Sequence, residues 1–372
     1  MPPFRADHVG SLLRPPELLE ARERFDAGSL GAGELRAAED DAIRAAVRMQ
    51  EEIGLRAATD GEFRRASWQG DFIRQLGGVE LGAGEPSVPR EFHTDSGGRL
   101  VPTLGSVRVT GKIRLEHTIF GEDFAALSSM TRRATPKLTI PSPSMVYLRT
   151  GRPRIDEHVY PDLDGFWADL VAAYREELAR LHALGCTYLQ IDDVSLAMLN
   201  DPALRAELAG RGEDADRLHL VFVERLNQVL AAKPAGMTVA VHMCRGNFRS
   251  AWAARGSYDF VAEALFAGLE ADGLFVEYDD ERSGGFEPLR FVPGGRLVVL
   301  GLVTTKRGAL EPKETLLRRI EEASRFLPLD QLCLSPQCGF ASTSAGNELT
   351  IDEQRAKLEL VVETAAEVWG TA

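Results

Sequence analysis

The residues best suited to chemistry in this chain are a histidine and a cysteine at the end of an apolar segment. His242 and Cys244 follow Val239-Ala-Val241, a pattern typical of a buried strand. Residues two apart in a strand point to the same face, so the imidazole and the thiol can approach one metal ion. A His-x-Cys pair supplies only two ligands, so the remaining ligands must come from other strands.

Two further strand ends carry candidate ligands. Glu277 lies near the end of the apolar segment 274–278, and Cys338 follows the segment 332–336. With His242 and Cys244 they form a tetrahedral donor set in which soft sulfur favours Zn²⁺ over magnesium or calcium. Because the four residues are spread over nearly a hundred positions, the site needs a prefolded scaffold. This spacing indicates a catalytic metal rather than a zinc finger.

The elements that must position these residues form a repeating pattern. Eight segments are predicted as strands: a short run before Val9, then 55–62, 137–140, 188–193, 238–243, 274–278, 297–303 and 332–338. Segments with helical periodicity are predicted at 32–53, 166–184, 214–231, 258–269, 313–326 and 353–368. Alternating strands and helices predict a parallel sheet of the α/β class, and eight such units predict a (β/α)₈ TIM barrel.

An open, doubly wound sheet of six or seven strands is the rival architecture. It is disfavoured because no Gly-x-Gly-x-x-Gly turn follows the first strand. We interpret residues 1–372 as a single barrel domain. Frequent Pro and Gly break the rhythm at about 77–130, and short alternating runs there predict a β-rich insertion between strands 2 and 3.

Two carboxylates, Glu62 and Asp192, also fall at predicted strand ends. Barrel enzymes keep their active sites at the carboxyl ends of the strands, so both are candidate substrate ligands. Structural roles stay open: Asp192 as the cap of the next helix, and Glu62 as an ion-pair partner of Arg64 or Arg65. Trp68 and Phe72 are predicted to pack in the core or over the site, and Cys186 and Cys333 to be small buried hydrophobes.

Composition narrows the class of protein. The chain has 372 residues, 44% of them hydrophobic, and a net charge of −13, which argues against nucleic acid or an anionic membrane as the main partner. It has no apolar run of about twenty residues and no signal-peptide pattern. Four cysteines without a disulfide framework indicate reduced thiols, so we predict a cytoplasmic protein. The oligomeric state stays open, a homo-oligomer included.

In order and placement, the motifs resemble the catalytic, C-terminal barrel of cobalamin-independent methionine synthase, in its single-barrel form. The resemblance covers nearly the whole chain and is carried by His8-Val-Gly-Ser11, Asp60-Gly-Glu62, Leu189-Gln-Ile-Asp192, His242-Met-Cys244, Glu277 and Pro336-Gln-Cys-Gly339. It implies that His242, Cys244, Glu277 and Cys338 hold a zinc ion that binds the thiol of homocysteine.

The same resemblance implies which residues bind the other two groups of homocysteine. It implies that Ser11 contacts the substrate carboxylate through its backbone, and that Glu62 and Asp192 hold the ammonium group. A methyl donor such as 5-methyltetrahydrofolate would be the second substrate.

This chain departs from the family pattern on the donor side. Pro143 stands where the family places a tryptophan that stacks on folate, and Met198 replaces a glutamate. Lys306 stands in place of a histidine implicated in proton transfer, which makes it the candidate catalytic residue. The amino-terminal barrel of the full-length enzymes has no counterpart in this sequence. Thiol activation is therefore better supported than a folate donor.

Two other functions remain open. A related zinc enzyme class adds an epoxide to coenzyme M, whose sulfonate would be repelled by Glu62 and Asp192. Lys306, Arg245 and Arg282 would favour that acceptor if they faced the pocket. The third hypothesis is a protein that binds zinc or thiols without catalysis.

Overall fold

The computed structural model describes residues 2–82, 91–102 and 105–372. A parallel sheet of seven strands organises the chain, and its strands follow one another in chain order apart from the ribbons described below. Its strands are β1 (Ala57–Ala58), β6 (Thr135–Pro141), β7 (Tyr188–Asp192), β8 (Thr238–Met243), β9 (Gly273–Glu277), β10 (Leu297–Val303) and β11 (Leu332–Pro336). An α/β fold with a parallel sheet is thereby confirmed.

The amino-terminal segment lies against both edges of this sheet. Ala6 forms a parallel bridge to Leu334 of β11. On the side of β1, the Leu12 backbone N–H donates to Gly61 O at 3.0 Å, and Thr59 Oγ1 donates to Gly10 O at 2.6 Å. The sheet therefore curls until its edge strands flank the same segment, as in a barrel.

Helices connect the strands. The described residues contain α1 (Pro16–Asp26), α2 (Ala32–Glu52), α3 (Gly70–Ile73), α4 (Gly121–Met130), α5 (Pro143–Thr150), α6 (Leu163–Ala183), α7 (Val194–Met198), α8 (Pro202–Gly210), α9 (Leu218–Leu230), α10 (Lys313–Ser324) and α11 (Ile351–Trp369). The predicted helices at 32–53, 166–184, 214–231, 313–326 and 353–368 are confirmed within a few residues. None of the helices in the described part has the length and apolarity needed to cross a lipid bilayer.

Three helices that the sequence did not indicate share one feature. The helices α1, α5 and α8 each begin at a proline: Pro16, Pro143 and Pro202. The N–H of the first helical residue has no partner within the helix, and the fixed φ of proline suits that position. The segment 258–269 is irregular where an α-helix was expected, with a 3₁₀ turn at Tyr258–Phe260 and π-helical turns at Glu263–Ala267.

Between β1 and β6 the chain forms two antiparallel ribbons before α4. One pairs β2 (Leu76–Gly82) with β5 (Ser106–Leu115), and the other pairs β3 (Phe92–His93) with β4 (Arg99–Leu100). Short alternating runs were predicted in this stretch, and β5 confirms that one of them forms a strand. That the whole stretch 77–130 is an insertion stays a prediction, and part of it (83–90 and 103–104) lies outside the described residues.

The concave side of the sheet is filled by a layer of side chains contributed by successive strands. This layer consists of Phe4, Val9, Ala57, Tyr188, Ala240, Phe275, Val299 and Cys333. A buried ion pair lies beside it, with Lys137 Nζ 3.0 Å from Asp7 Oδ1. The interior is therefore packed at this layer, and the cleft described below lies beyond the carboxyl ends of the strands.

Candidate metal centre and substrate cleft

Three of the four predicted metal ligands converge beyond the strand ends. One ligand atom from each of His242, Cys244 and Cys338 lies within 4.8 Å of the others, and all three residues are buried. The two Sγ atoms are 3.5 Å apart. The strand β8 places His242 and Cys244 on one face, as its two-residue period requires, and the loop after β11 brings Cys338 to them.

Asp192 orients the histidine of this group. Its Oδ1 lies 3.0 Å from His242 Nδ1 and also accepts from Gln190 Nε2 at 2.7 Å. A carboxylate behind the imidazole fixes the tautomer and strengthens the other ring nitrogen as a ligand. The helix-capping role left open for Asp192 belongs to its neighbour, because the Asp193 side chain accepts from Leu196 N.

The three side chains differ in protonation, because the hydrogen bond with Cys338, and then burial, raise the pKa of Cys244 well above its ordinary value. The hydrogen bond from Cys244 lowers the pKa of Cys338, burial raises it, and the hydrogen bond from His242 lowers it further. The resulting pKa of Cys338 is about 5. Burial lowers the pKa of His242, but Asp192 and Cys338 outweigh it and raise that pKa to about 10. Thiolate and imidazolium thus lie together, an arrangement in which a metal cation can take the place of protons.

The fourth predicted ligand, Glu277, lies outside this group of three. Its carboxylate is fully buried and is contacted by the backbone N–H of Arg245. Lys306 Nζ lies 3.3 Å and Arg282 3.5 Å from its Oε1. Burial raises the pKa of Glu277, but these cations outweigh it and hold that pKa below its ordinary value. Glu277 is therefore an ionised carboxylate next to the group of three, neutralised by cations from three loops.

Lys306, the candidate catalytic residue, is bound between two carboxylates. Its Nζ lies 3.3 Å from Glu277 Oε1 and 3.0 Å from Asp279 Oδ2. The structure places it against Glu277 and not among the described residues that line the cleft. Arg245 and Arg282 also contact Glu277 and do not line the cleft. A sulfonate substrate would be favoured if these three cations faced the cleft, and in the described structure they do not.

Glu62 projects into the cleft from a strained backbone. Its φ is +60°, a left-handed conformation that is uncommon for a residue with a side chain. Asp60 Oδ1 stabilises this turn by accepting from Glu62 N at 2.9 Å. The carboxylate accepts from Thr139 Oγ1 at 2.8 Å, and Arg65 lies 3.6 Å away. Of the two ion-pair partners left open, the structure selects Arg65, while Arg64 contacts other acidic residues.

Burial raises the pKa of Glu62 to about 7, even though Arg65 lowers it. In the unfolded chain this carboxyl loses its proton near pH 4.5, so its contribution to stability falls as pH rises from 4.5 to about 7. We expect Glu62→Gln to raise the free energy of unfolding at pH 8 by up to about 3 kcal/mol, with little change at pH 4. Urea denaturation at both pH values tests this, and an equal effect at the two would contradict it.

Ser11 is held against the loop that carries Cys338. Its hydroxyl accepts from Ala341 N at 3.2 Å, and its carbonyl accepts from Phe340 N at 3.0 Å. A side chain at Gly339 would place its Cβ 2.0 Å from Ser11 Oγ, so only glycine permits this approach. The predicted carboxylate contact thus lies beside the predicted metal ligand.

These residues share one cleft that is open to solvent. Ser11, Glu62, Asp192, His242, Cys244 and Cys338 all line it. The remaining lining is mostly apolar or uncharged: Val9, Trp68, Gln69, Phe92, Met145, Leu148, Val194, Met198, Gly246, Asn247, Gly339 and Ser342, together with Arg149. The polar residues and the sulfur ligands thus share the cleft with an apolar wall.

The structure also locates the predicted departures and the residues that we missed. Pro143 is buried at the start of α5 and is not among the lining residues, whereas Met198 lines the cleft. Phe72 is fully buried in the core and Trp68 lines the cleft, and both positions agree with the prediction of packing in the core or over the site. Gln69 was not predicted at all. Trp68 and Gln69 both lie in a loop beyond a strand end. That position in the sequence could have indicated a place in the cleft, because binding residues often lie on such loops.

The two cysteines outside the group of three are buried and form no disulfide bond. Cys186 and Cys333 are both buried and free, as predicted. Burial raises the pKa of each above its ordinary value, so neither thiol is reactive at neutral pH.

Comparison with known proteins gives a consistent match. Residues 4–367 match the family model of the cobalamin-independent synthase catalytic domain. The uncharacterized protein YxjH of Bacillus subtilis is 46% identical over 99% of this chain and 95% of its own length. A crystal structure from Listeria monocytogenes, described as that of a vitamin-B12 independent methionine synthase, is 36% identical with a TM-score of 0.78, covering 99% of this chain and 98% of that one. The methionine synthase of Pyrococcus abyssi is 23% identical over 89% of this chain and 84% of its length.

Proposed function

The chain belongs to the family of cobalamin-independent synthase catalytic domains, and we propose that it transfers a methyl group to the thiol of homocysteine, giving methionine. The names of the Listeria and Pyrococcus relatives support this reaction. The donor in this proposal is 5-methyltetrahydrofolate or another small methyl carrier. We also propose that the curled sheet is a closed (β/α)₈ barrel, that the chain is one domain, and that 77–130 is an insertion in it.

The observation that supports the proposal most is the shared cleft. Sulfur and imidazole ligands lie at its base, and two carboxylates and a serine line the same space. A thiol, an ammonium group and a carboxylate are the three functional groups of homocysteine, and the cleft offers a suitable partner for each.

The residues present fit a zinc ion. His242, Cys244 and Cys338 are buried, close together and partly ionised, and their donor atoms are those that zinc prefers. We propose Glu277 as the fourth ligand, because its ionised carboxylate lies in the strand next to β8. Bound there, Zn²⁺ would act as a Lewis acid that keeps the substrate thiol ionised at neutral pH.

The protein residues orient the amino acid. In the proposed complex Glu62 and Asp192 bind the ammonium group, each through the carboxylate oxygen left unused by its contacts in the described structure. Ser11 binds the carboxylate, so the ammonium and carboxylate groups on the α-carbon have separate partners. The sulfur then bonds to the methyl carbon as the donor's bond to that carbon breaks, and the donor's leaving atom takes up a proton.

The decisive experiment combines two measurements on the zinc-loaded chain. The first is methionine formation, by mass spectrometry, from homocysteine with methylfolate mono- and triglutamate. The second is calorimetric binding of homocysteine with and without zinc. Methionine formation at catalytic rates would support the full proposal. Zinc-dependent homocysteine binding without turnover would retain the acceptor and reject the donor. Loss of both would contradict the proposal.

Lys306 is proposed to act through its positive charge on Glu277. Lys306→Met would leave Glu277 and Asp279 without their shared cation, so we expect the free energy of unfolding to fall by about 3–5 kcal/mol and activity to fall with it. Lys306→Arg keeps the charge and is expected to recover most of both. Proton transfer by Lys306 would instead make the arginine variant stable but inactive, because arginine does not release a proton.

A further inference from the structure

Trp68 is the tryptophan in this chain whose ring faces the substrate cleft. Each of the other three is covered by a ring or a cation: Trp167 by Tyr147 at 5.3 Å, Trp252 by His93 at 4.8 Å and Arg282 at 4.7 Å, and Trp369 by Arg5 at 5.6 Å. No such contact covers Trp68 anywhere in the described chain. It is half-buried, lines the cleft and packs against the hydrophobic core.

The loop that carries Trp68 is tied to the loop that follows Cys338. Trp68 N donates to Ser342 O at 3.1 Å, and Ser67 forms an antiparallel bridge with Thr343. The Arg14 guanidinium joins both loops, donating to Thr343 O at 3.1 Å and to Glu62 O at 2.8 Å. The backbone that carries the indole is therefore tied to the segments that carry Glu62 and Cys338 before any ligand binds.

Gln69, the next residue along the chain, lines the same cleft and carries a buried hydrogen-bond acceptor that is unpaired in the described structure. It is 7% exposed, and its Oε1 is buried without a hydrogen-bond partner among the described residues. An unpaired buried carbonyl is costly, and a ligand N–H that reached it would remove that cost. An open aromatic face and an unpaired acceptor thus occur on consecutive residues.

We propose that Trp68 and Gln69 select the second substrate: a planar, N–H-bearing ring system that stacks on the Trp68 indole and donates a hydrogen bond to Gln69 Oε1. This inference rests on the proposed function, since the ring would be part of the methyl donor. An aromatic face binds planar groups by stacking, and the fixed loop would place the donor next to the sulfur of the acceptor. The pair determines donor specificity and takes no part in binding the thiol.

The test uses the full zinc-loaded chain and two probes, 5-methyltetrahydrofolate and homocysteine, with binding measured by calorimetry. Trp68→Leu removes the aromatic face and keeps an apolar side chain, Trp68→Phe retains a ring, and Gln69→Met removes the acceptor at similar length. Trp369→Phe is the matched control, because that ring contacts Arg5 outside the cleft.

We expect Trp68→Leu to weaken folate binding about ten-fold or more, Gln69→Met to weaken it by several-fold, and Trp68→Phe and Trp369→Phe to change it little. Homocysteine affinity should stay within two-fold in all four. Equal folate affinity in Trp68→Leu and the unaltered chain would overturn the inference. So would a parallel loss of homocysteine binding, which indicates a disturbed loop, or a chain that binds homocysteine but not folate. Failure to bind homocysteine at all would instead count against the proposed function.

Discussion

Replacing Cys338 by Ser is expected to abolish zinc binding and methyl transfer together. The hydroxyl is of similar size, but it does not ionise near neutral pH and is a much poorer zinc ligand than a thiolate. In the unaltered chain Cys338 is the cysteine whose pKa is lowered, to about 5, by Cys244 and His242. We therefore expect zinc affinity to fall by more than about 100-fold, beyond the effect of losing a residue that only orients a ligand.

The measurement is zinc content by mass spectrometry after dialysis against a chelator, followed by methionine formation in the same samples. Cys186→Ala is the matched control, because Cys186 is an equally buried free cysteine outside the group of three and should leave zinc content unchanged. A Cys338→Ser protein that keeps one zinc per chain and full activity would remove this residue from the metal site.

The group of three residues proposed as metal ligands was predictable because two local rules act at the same place. Alternation along a strand puts His242 and Cys244 on one face, and parallel strands bring all their carboxyl ends to one edge. Cys338 follows another strand of the same sheet, so its distance along the chain did not matter. The sheet, the five longest helices of the described residues and the convergence of His242, Cys244 and Cys338 could therefore be predicted from apolar periodicity and residue type.

The environment of Glu277 could not be predicted in the same way. Its three cations, Arg245, Arg282 and Lys306, come from loops after three different strands, and loop side chains have no period that reveals their direction. Whether a carboxylate at a strand end faces a metal or a cation depends on these neighbours. The same limit explains Trp68, whose position depends on the bridge between Ser67 and Thr343.

If the proposed function is correct, the acceptor and donor residues differ in how easily they can be substituted. The proposed acceptor residues Ser11, Glu62 and Asp192 are positioned by backbone and buried hydrogen bonds, so a substitution there is expected to disturb the binding of homocysteine. Met198 and Trp68 lie in the cleft wall, where a substitution alters shape and leaves the sheet intact. We therefore expect the preference for the thiol substrate to be less easily altered by substitution than the preference for the methyl donor.

Asp192→Asn is expected to impair two functions at once, because the carboxylate contacts His242 and also faces the cleft. The amide oxygen can still accept from His242 Nδ1, but it carries no charge, so zinc affinity should fall by about 10–100-fold. The amide N–H groups would then point toward the substrate ammonium group. At saturating zinc we expect kcat/KM for homocysteine to fall by more than about 100-fold, because a buried charge pair loses one partner.

A thiol of the same length without the amino group, 4-mercaptobutanoate, separates the two functions. At saturating zinc its zinc-dependent binding should be nearly equal in the unaltered chain and in Asp192→Asn, whereas homocysteine binding should differ strongly. Glu62→Gln is the complementary variant: Glu62 makes no contact with His242 in the described structure, so we expect the same discrimination between the two thiols with unchanged zinc affinity. Equal losses for both thiols in both variants would show that these carboxylates shape the cleft without binding the ammonium group.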